Sequence, residues 1–177
     1  HRYVINFGER SEEECRREWP ELMSIVERKV KPGRLSQNRE IRARYWWRFG
    51  ETCPALYAAI ASYERVLVIS RVTEKIGFSS MTPESVFSER LVVIPQHGWQ
   101  SFTSLQSRLH EIYALFFGSS LEDRFMYAPS DCFESFPLPT TLLDPIASEP
   151  AHDATRQSLE AIGERYHQFR AELMVSN

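Results

Sequence analysis

Arg65-Val66-Leu67-Val68-Ile69-Ser70-Arg71-Val72 is the stretch that determines the fold class of this chain of 177 residues. Its four consecutive apolar side chains, from Val66 to Ile69, predict a strand that is buried on both faces in its first half. Further short strands are predicted at residues 3–7, 76–81, 86–87, 91–94 and 125–127, where apolar runs are bounded by turn residues. The downstream strands together predict a small β-sheet.

Helical periodicity follows the predicted strands. Residues 101–117 form an amphipathic pattern, and we expect one face of it to point into the core: Phe102, Leu105, Leu109, Ile112 and Phe116. Residues 153–175 carry an apolar seam spaced three and four apart, which is typical of a helix that packs on another helix: Leu159, Ile162, Tyr166, Phe169 and Leu173. Four prolines between residues 137 and 150 predict a connector before this last helix.

The chain upstream of residue 65 is predicted to be mainly helical. Ser11 and Glu14 form a capping box that begins one helix, and Pro20 begins another. Residues 36–49 are predicted as a third helix, with an apolar face made by Ile41, Tyr45 and Phe49. The sequence therefore predicts an α+β (mixed α/β) fold, in which a small β-sheet is flanked by helices and a long helix stands at the C-terminus.

The charge distribution and the cysteine content indicate what the protein can bind and in which compartment it is expected. The net charge is −3, but residues 28–48 hold eight Lys or Arg side chains against a single acid, Glu40. A local basic stripe of this kind can follow a phosphate backbone. The three cysteines are widely spaced and predict reduced thiols in the cytoplasm, and His1 in place of an initiator Met is expected of an excised piece of a longer protein.

Few side chains are arranged as a catalytic centre would require. His110 beside Glu111 is predicted to be a packed core histidine rather than a general base. Ser130, Asp131 and Cys132 are adjacent and would point in different directions on an extended chain, so they do not form a relay. No metal site is predicted, because the acid and the lysine of Glu27-Arg28-Lys29 are expected on a solvated helix face.

Several short motifs after residue 44 occur in an ordered series: Tyr45-Trp46-Trp47-Arg48-Phe49-Gly50, Pro54-Ala55-Leu56-Tyr57, the strand at 65–72, Val86-Phe87-Ser88, Leu105-Gln106-Ser107-Arg108-Leu109-His110, Ser119-Ser120-Leu121-Glu122-Asp123-Arg124-Phe125-Met126-Tyr127, Ser130-Asp131-Cys132-Phe133-Glu134-Ser135-Phe136-Pro137 and Tyr166-His167-Gln168-Phe169-Arg170-Ala171-Glu172-Leu173-Met174. In this order and spacing the chain resembles the target recognition domain of large single-chain restriction–modification enzymes, the Type IIG/IIL group, and of related adenine-specific DNA methyltransferases.

The resemblance implies a module that selects the DNA sequence, while an upstream domain flips and methylates an adenine. S-adenosylmethionine would be bound by that methyltransferase domain, and no cofactor is expected in this chain. The implied partners are double-stranded DNA and the methyltransferase domain, without a membrane. On this basis residues 1–35 are a lead-in from an upstream domain, residues 36–139 the target recognition domain, and residues 140–177 a connector and a coiled-coil-like helix.

The candidates for reading bases are polar side chains near strand ends. The first group lies in the loop after the buried strand: Arg71, Thr73, Glu74 and Lys75. Two further segments supply the others: Ser88, Arg90, Arg124 and Tyr127. A Glu can accept a hydrogen bond from cytosine N4, and an Arg or a Lys can donate to guanine O6 and N7. The resemblance favours Glu74 and Lys75, and a solvated hairpin is the alternative.

Phosphate contacts are predicted for four arginines of the basic stripe: Arg39, Arg42, Arg44 and Arg48. Such contacts set affinity and salt dependence but carry no sequence information. The alternative is a surface helix whose charges pair with the acidic stretch at residues 9–18. Trp46 and Trp47 could stack on bases, but their position beside Tyr45 and Phe49 favours the core.

The sequence is compatible with two other functions. The apolar seam of the C-terminal helix could make the chain a protein-interaction or dimerisation domain. A free-standing hydrolase that uses His110 is the third reading, although the sequence shows no partner residue for it.

Overall fold

The computed structural model describes residues 3–96, 98–121, 123–138 and 150–176. The chain forms two compact units, His1–Ala58 and Ala59–Asn177. The fold combines helices with two small antiparallel sheets and ends in a long helix, so the predicted α+β class is confirmed. None of the helices in the described ranges is long and apolar enough to cross a lipid bilayer.

The first unit is built from short helices. In chain order these are α1 (Glu12–Glu18), α2 (Pro20–Lys29), α3 (Lys31–Leu35) and α4 (Glu40–Arg44), and α5 (Pro54–Ile60) follows across the boundary between the units. Ser11 and Glu14 form the predicted capping box, with each side chain bonded to the other residue's backbone N–H. The core consists of Phe7, Cys15, Met23, Val26 and Trp46.

Two predictions for the first unit are wrong. Residues 3–7 form no strand, because the described part of this unit supplies no neighbouring strand to pair with. The helix predicted at residues 36–49 is reduced to α4, which ends where Tyr45 leaves helical geometry (φ −111°, ψ 47°). The predicted apolar face is therefore broken: Ile41 and Phe49 are exposed, and Trp46 is buried in the core instead.

The described part of the second unit contains two three-stranded antiparallel sheets rather than one. The strands are β1 (Val66–Ser70), β2 (Val72–Thr73), β3 (Ser79–Met81), β4 (Leu91–Ile94), β5 (Ser119–Leu121) and β6 (Arg124–Met126). One sheet has the order β3-β1-β4 and the other β2-β6-β5. The strand predicted at residues 65–72 is thus split at Arg71, where the chain passes from one sheet to the other. Residues 86–87 form no strand, and the one predicted at 76–81 is formed only at its end.

The buried strand itself is as the sequence predicts. All four apolar residues of β1 are buried, and they divide between the two faces of the sheet. Leu67 and Ile69 belong to the main core of the unit, together with Phe78, Phe102 and Tyr127. Because both faces are covered, β1 forms the centre about which the rest of the unit packs.

The helix predicted at residues 101–117 is two helices, α6 (Trp99–Leu105) and α7 (Arg108–Phe117). Ser107 separates them, since its hydroxyl accepts a hydrogen bond from the His110 N–H and begins a new helix. The break changes which face is buried. Phe102 and Leu105 are buried as predicted, but the other three residues of the predicted face, Leu109, Ile112 and Phe116, are 70%, 54% and 80% exposed.

The last elements are α8 (Pro129–Cys132) and α9 (Pro150–Ser176). Residues 139–149 of the predicted connector lie outside the described residues. Helix α9 packs against α6 at Gly163, where a side chain would meet the backbone oxygen of Trp99. The Thr103 hydroxyl lies between the two helices, 2.8 Å from the Leu159 oxygen and 2.9 Å from that of Trp99. The long helix is confirmed, but the residues of its predicted seam from Ile162 onward remain exposed.

Candidate nucleic-acid interface

Arg71 lies at the junction of the two sheets in the second unit. Its N–H donates to the backbone oxygen of Arg90 at 2.7 Å, and its own carbonyl oxygen accepts from the N–H of Tyr127 at 2.8 Å. One residue therefore pairs with both sheets, which fixes its position on rigid elements. Ser70 supports the bend, because its hydroxyl donates to the oxygen of Val72 at 2.9 Å. The sequence reasoning missed Ser70, and a Ser at the end of a buried strand is the signal that could have indicated a bend.

The loop after β2 is held by its own threonine. The Thr73 hydroxyl donates to the Lys75 oxygen at 2.6 Å and lies 3.2 Å from the Lys75 N–H. The hydroxyl proton is therefore donated within the loop. In this conformation the role of Thr73 is to stabilise the turn of the loop. Glu74 and Lys75 are exposed beside it.

The strand register brings a third segment to the same loop. Val72 pairs with Met126 and Thr73 with Phe125, so the loop that begins at Glu74 and the residue Arg124 both lie directly beyond the last pair. Both of these side chains are exposed. Glu74 and Arg124, which are distant in sequence, therefore lie at one end of the second sheet.

Ser88 and Arg90 form the turn that leads into β4. The Arg90 N–H lies 3.3 Å from the Ser88 hydroxyl oxygen, and the Leu91 N–H donates to the Ser88 carbonyl at 2.9 Å. Since the backbone of Arg90 also bonds to Arg71, the two arginines are neighbours across the sheet edge. Both side chains are exposed, so the turn presents a second cation beside the junction.

One predicted base contact is wrong. Tyr127 is completely buried, and its hydroxyl lies 3.0 Å from Nε2 of His110. Its ring packs edge-on against Phe78 in the main core. A side chain in this position cannot reach DNA. Tyr127 follows β6, and its burial is decided by contacts with Phe78 and His110, which are distant from it in the sequence.

The remaining candidates present unneutralised charge. Among the residues that the structure describes, no ion pair involves Arg71, Glu74, Lys75, Arg90 or Arg124. Four donors and one acceptor thus surround the junction and the adjoining loop. We name this set, Arg71, Glu74, Lys75, Arg90 and Arg124, the junction cluster. Its chemistry matches the two sides of a G·C pair in the major groove, where guanine accepts and cytosine donates.

The basic stripe of the first unit divides into two parts. Arg39 and Arg44 are exposed and Arg42 is half-buried, and no ion pair within the described ranges involves any of them. Two acids of the predicted alternative are paired with other cations: Glu12 with Arg16, and Glu18 with Arg17. The geometry therefore favours cations that are open to phosphate over pairing with the acidic stretch.

Glu27 has a structural role in the first unit. It pairs with Arg16 at 2.9 Å and with Lys31 at 2.7 Å. Hydrogen bonds from these two side chains lower the pKa of Glu27 to about 2. The Glu27 carboxylate therefore belongs to an ion-pair network. In the part of the chain that the structure describes, no group of three or more potential metal ligands occurs.

Arg48 holds two segments of the first unit together, and we call it a clamp in this sense. Its guanidinium donates to the backbone oxygens of Glu9 and Arg10. The same group lies over the rings of Tyr45 and Trp47, 4.7 Å and 5.4 Å from their centroids. Because most of its donors are used within the unit, Arg48 is a weaker candidate for phosphate binding than the three arginines before it.

We expect Arg48→Ala to lower the free energy of unfolding of the first unit by about 2 kcal/mol, because charge-assisted hydrogen bonds and ring contacts are lost together. Urea denaturation followed by tryptophan fluorescence measures this, since three of the four tryptophans (Trp19, Trp46 and Trp47) belong to this unit. Arg44→Ala is the matched control and should change stability little. Equal stability of both variants would contradict the clamp.

His110 is a core residue, as the sequence reasoning favoured. It is fully buried, its ring packs 4.5 Å from that of Phe136, and its Nδ1 has no hydrogen-bond partner among the described residues. Burial lowers the pKa of His110 to about 4, so the imidazole is neutral at pH 7. A substrate cannot reach this ring in the folded unit, which counts against a hydrolase that uses His110.

Comparison of the chain with protein-family models, with curated proteins and with solved structures gives no match.

Proposed function

We propose that this chain is a sequence-specific recognition module for double-stranded DNA, and that it acts in the cytoplasm as part of an S-adenosylmethionine-dependent adenine DNA methyltransferase or restriction–modification enzyme. The observation that carries the proposal is the junction cluster. Sequence readout requires donors and acceptors on a rigid element, and the cluster is anchored by the backbone bonds of Arg71 to Arg90 and Tyr127. Catalysis would belong to the rest of the parent enzyme.

The chemistry of the junction cluster supports a base-reading role. An exposed Glu among four cations is unfavourable for plain phosphate binding, because its charge repels the backbone. A base donor such as cytosine N4 would give Glu74 a favourable hydrogen bond. The cations beside it can donate to guanine or hold the flanking phosphates. This combination distinguishes a reading surface from a patch that only attracts DNA.

The basic stripe supports the affinity part of the proposal. Arg39, Arg42 and Arg44 form no ion pair within the described residues, whereas Glu12, Glu18 and Glu27 of the same unit are paired with other cations. Each phosphate contact adds about 0.9 to the dependence of log K on log salt for duplex DNA. Three such contacts give sequence-independent attraction even though the whole chain carries a net charge of −3.

We expect the chain to enrich one motif from a pool of random duplexes, as read by sequencing the bound fraction. Glu74→Gln should relax the preference at one position of that motif by about tenfold, because a charged carboxylate acceptor is replaced by a neutral amide that also carries a donor. Glu84→Gln, which changes an exposed Glu on the turn before residue 86, is the matched control and should leave the motif unchanged.

Arg44→Ala supplies the second comparison in the same experiment. It should weaken binding to all duplexes alike and reduce the salt slope by about one, while the motif is kept. Failure to bind any duplex, or a motif that survives substitution of every member of the junction cluster, would overturn the proposal. Such a result would also remove the basis for placing the chain in a methyltransferase.

A further inference from the structure

Helix α9 carries an apolar face that its own unit covers only in part: Tyr166 packs on the ring of Phe102 but is still 43% exposed. The helix contacts α6 through Gly163, and His167 and Arg170 lie on the same side. The four residues from Ile162 to Leu173 of the predicted seam are 43% to 55% exposed. We name these four, Ile162, Tyr166, Phe169 and Leu173, the α9 seam. At 3.6 residues per turn its centre is displaced by roughly 100° from the α6 contact.

The spacing of the α9 seam is that of a coiled coil. Steps of four, three and four residues place Tyr166 and Leu173 at a positions, and Ile162 and Phe169 at d positions. The helix is already formed by its packing on α6, so a partner helix need not supply the cost of helix nucleation. The seam is therefore a preformed surface for a second helix.

The charges beside the α9 seam indicate which helix fits. In this register Arg165 and Glu172 both occupy g positions, and both are exposed. No ion pair among the described residues involves either of them. When two copies of α9 run antiparallel, Tyr166 faces the partner's Phe169, and Leu173 faces the partner's Ile162. The same alignment places Arg165 opposite the partner's Glu172, and symmetry repeats this pair.

A parallel pair does not have this complementarity. Positions g face positions e in that arrangement, so Arg165 would lie opposite the partner's Arg170. Arg170 is moreover held on its own subunit, where its guanidinium donates to the Phe78 oxygen at 2.8 Å. The like charges oppose a parallel pair, and the two Arg–Glu pairs favour the antiparallel one.

We propose that the α9 seam binds a second copy of this chain, and that the two α9 helices form an antiparallel pair with Arg165 facing the partner's Glu172. Apolar burial at the seam supplies most of the affinity, and the charged positions select the orientation. The pairing is independent of DNA recognition, since none of the residues involved belongs to the junction cluster or the basic stripe.

Sedimentation equilibrium of the 177-residue chain tests the pairing. We expect a monomer–dimer equilibrium for the unmodified chain and a monomer for Phe169→Glu, because a charge would then be buried in the seam. Arg165→Glu and Glu172→Arg should each weaken the dimer by about tenfold, since two opposite-charge pairs become two like-charge pairs. The double substitution restores both pairs in reversed order and should recover the affinity to within about threefold.

Gln168→Arg is the matched control, because it changes the charge of an exposed residue on the other side of α9 and should leave the dimer unchanged. Circular dichroism of each variant shows that the helix is retained. A chain that remains monomeric at every soluble concentration would overturn the proposal and leave the seam to a different partner. A tighter dimer for Arg165→Glu would overturn it as well, because it would indicate a parallel pair.

Discussion

Lowering the pH from 7 to 4 is expected to reduce the free energy of unfolding of the second unit by about 3 kcal/mol through His110 alone. The unfolded chain binds a proton at this residue near pH 6.5, whereas burial lowers the pKa of the folded state to about 4. Between these two values the unfolded state holds more protons. The stability is therefore complete above pH 6.5, falls as the pH decreases, and levels off below pH 4.

Urea titrations at several pH values measure this effect, with His110→Gln as the test variant. Glutamine does not titrate but can still bond to the Tyr127 hydroxyl, so the variant should show a smaller pH dependence and not merely a lower stability. His167→Gln is the control, because desolvation also lowers the pKa of His167 and adds to the same trend. If His110→Gln kept the full pH dependence of the unmodified chain, another group would be responsible.

Substitution of Gly163 by Ala should destabilise the second unit by about 2 kcal/mol. An added Cβ would lie 2.4 Å from the Trp99 oxygen and 2.5 Å from the Thr103 hydroxyl, so α6 and α9 would have to move apart. The overpacking and the disturbed bond from Thr103 to the Leu159 oxygen outweigh the gain of about 1 kcal/mol in helix propensity.

Gly33→Ala is the same substitution at a helical site where the added methyl group meets no steric obstruction. Gly33 lies in helix α3, and a Cβ there would have nothing within 4 Å. This variant should raise the stability of the first unit by about 0.5 kcal/mol, since only helix propensity changes. Thermal or urea denaturation followed by far-UV circular dichroism compares the two variants. A stabilising effect of Gly163→Ala would show that the two helices are not in close contact.

The elements with strong local signals were predictable. Strand β1 is buried as its four apolar residues require, and α1 begins at the capping box of Ser11 and Glu14. The C-terminal helix follows from its long periodic pattern. In each of these cases the cause of the structure lies within a few residues of the element itself.

The faces of helices were less predictable. The pattern at residues 101–117 suits a single helix, but the cap at Ser107 starts a second one and rotates the covered face onto His110 and Ala114. The C-terminal helix shows the same effect, because Gly163 allows a closer approach to α6 than the bulkier residues of the seam would. Periodicity indicates that a helix has an apolar face, but packing partners decide which face is covered.

For the candidate site, the sequence by itself determined which charged residues stand at strand ends, and it separated the basic stripe from the rest of the chain. Only the tertiary structure decided that Arg71, Arg90 and the loop at Glu74 lie together, that Arg48 is a clamp, and that Tyr127 is buried. The physical reason is that short strands of two to five residues carry little information about their partners. Their pairing, and with it the exposure of each side chain, is set by contacts between segments that are distant in the chain.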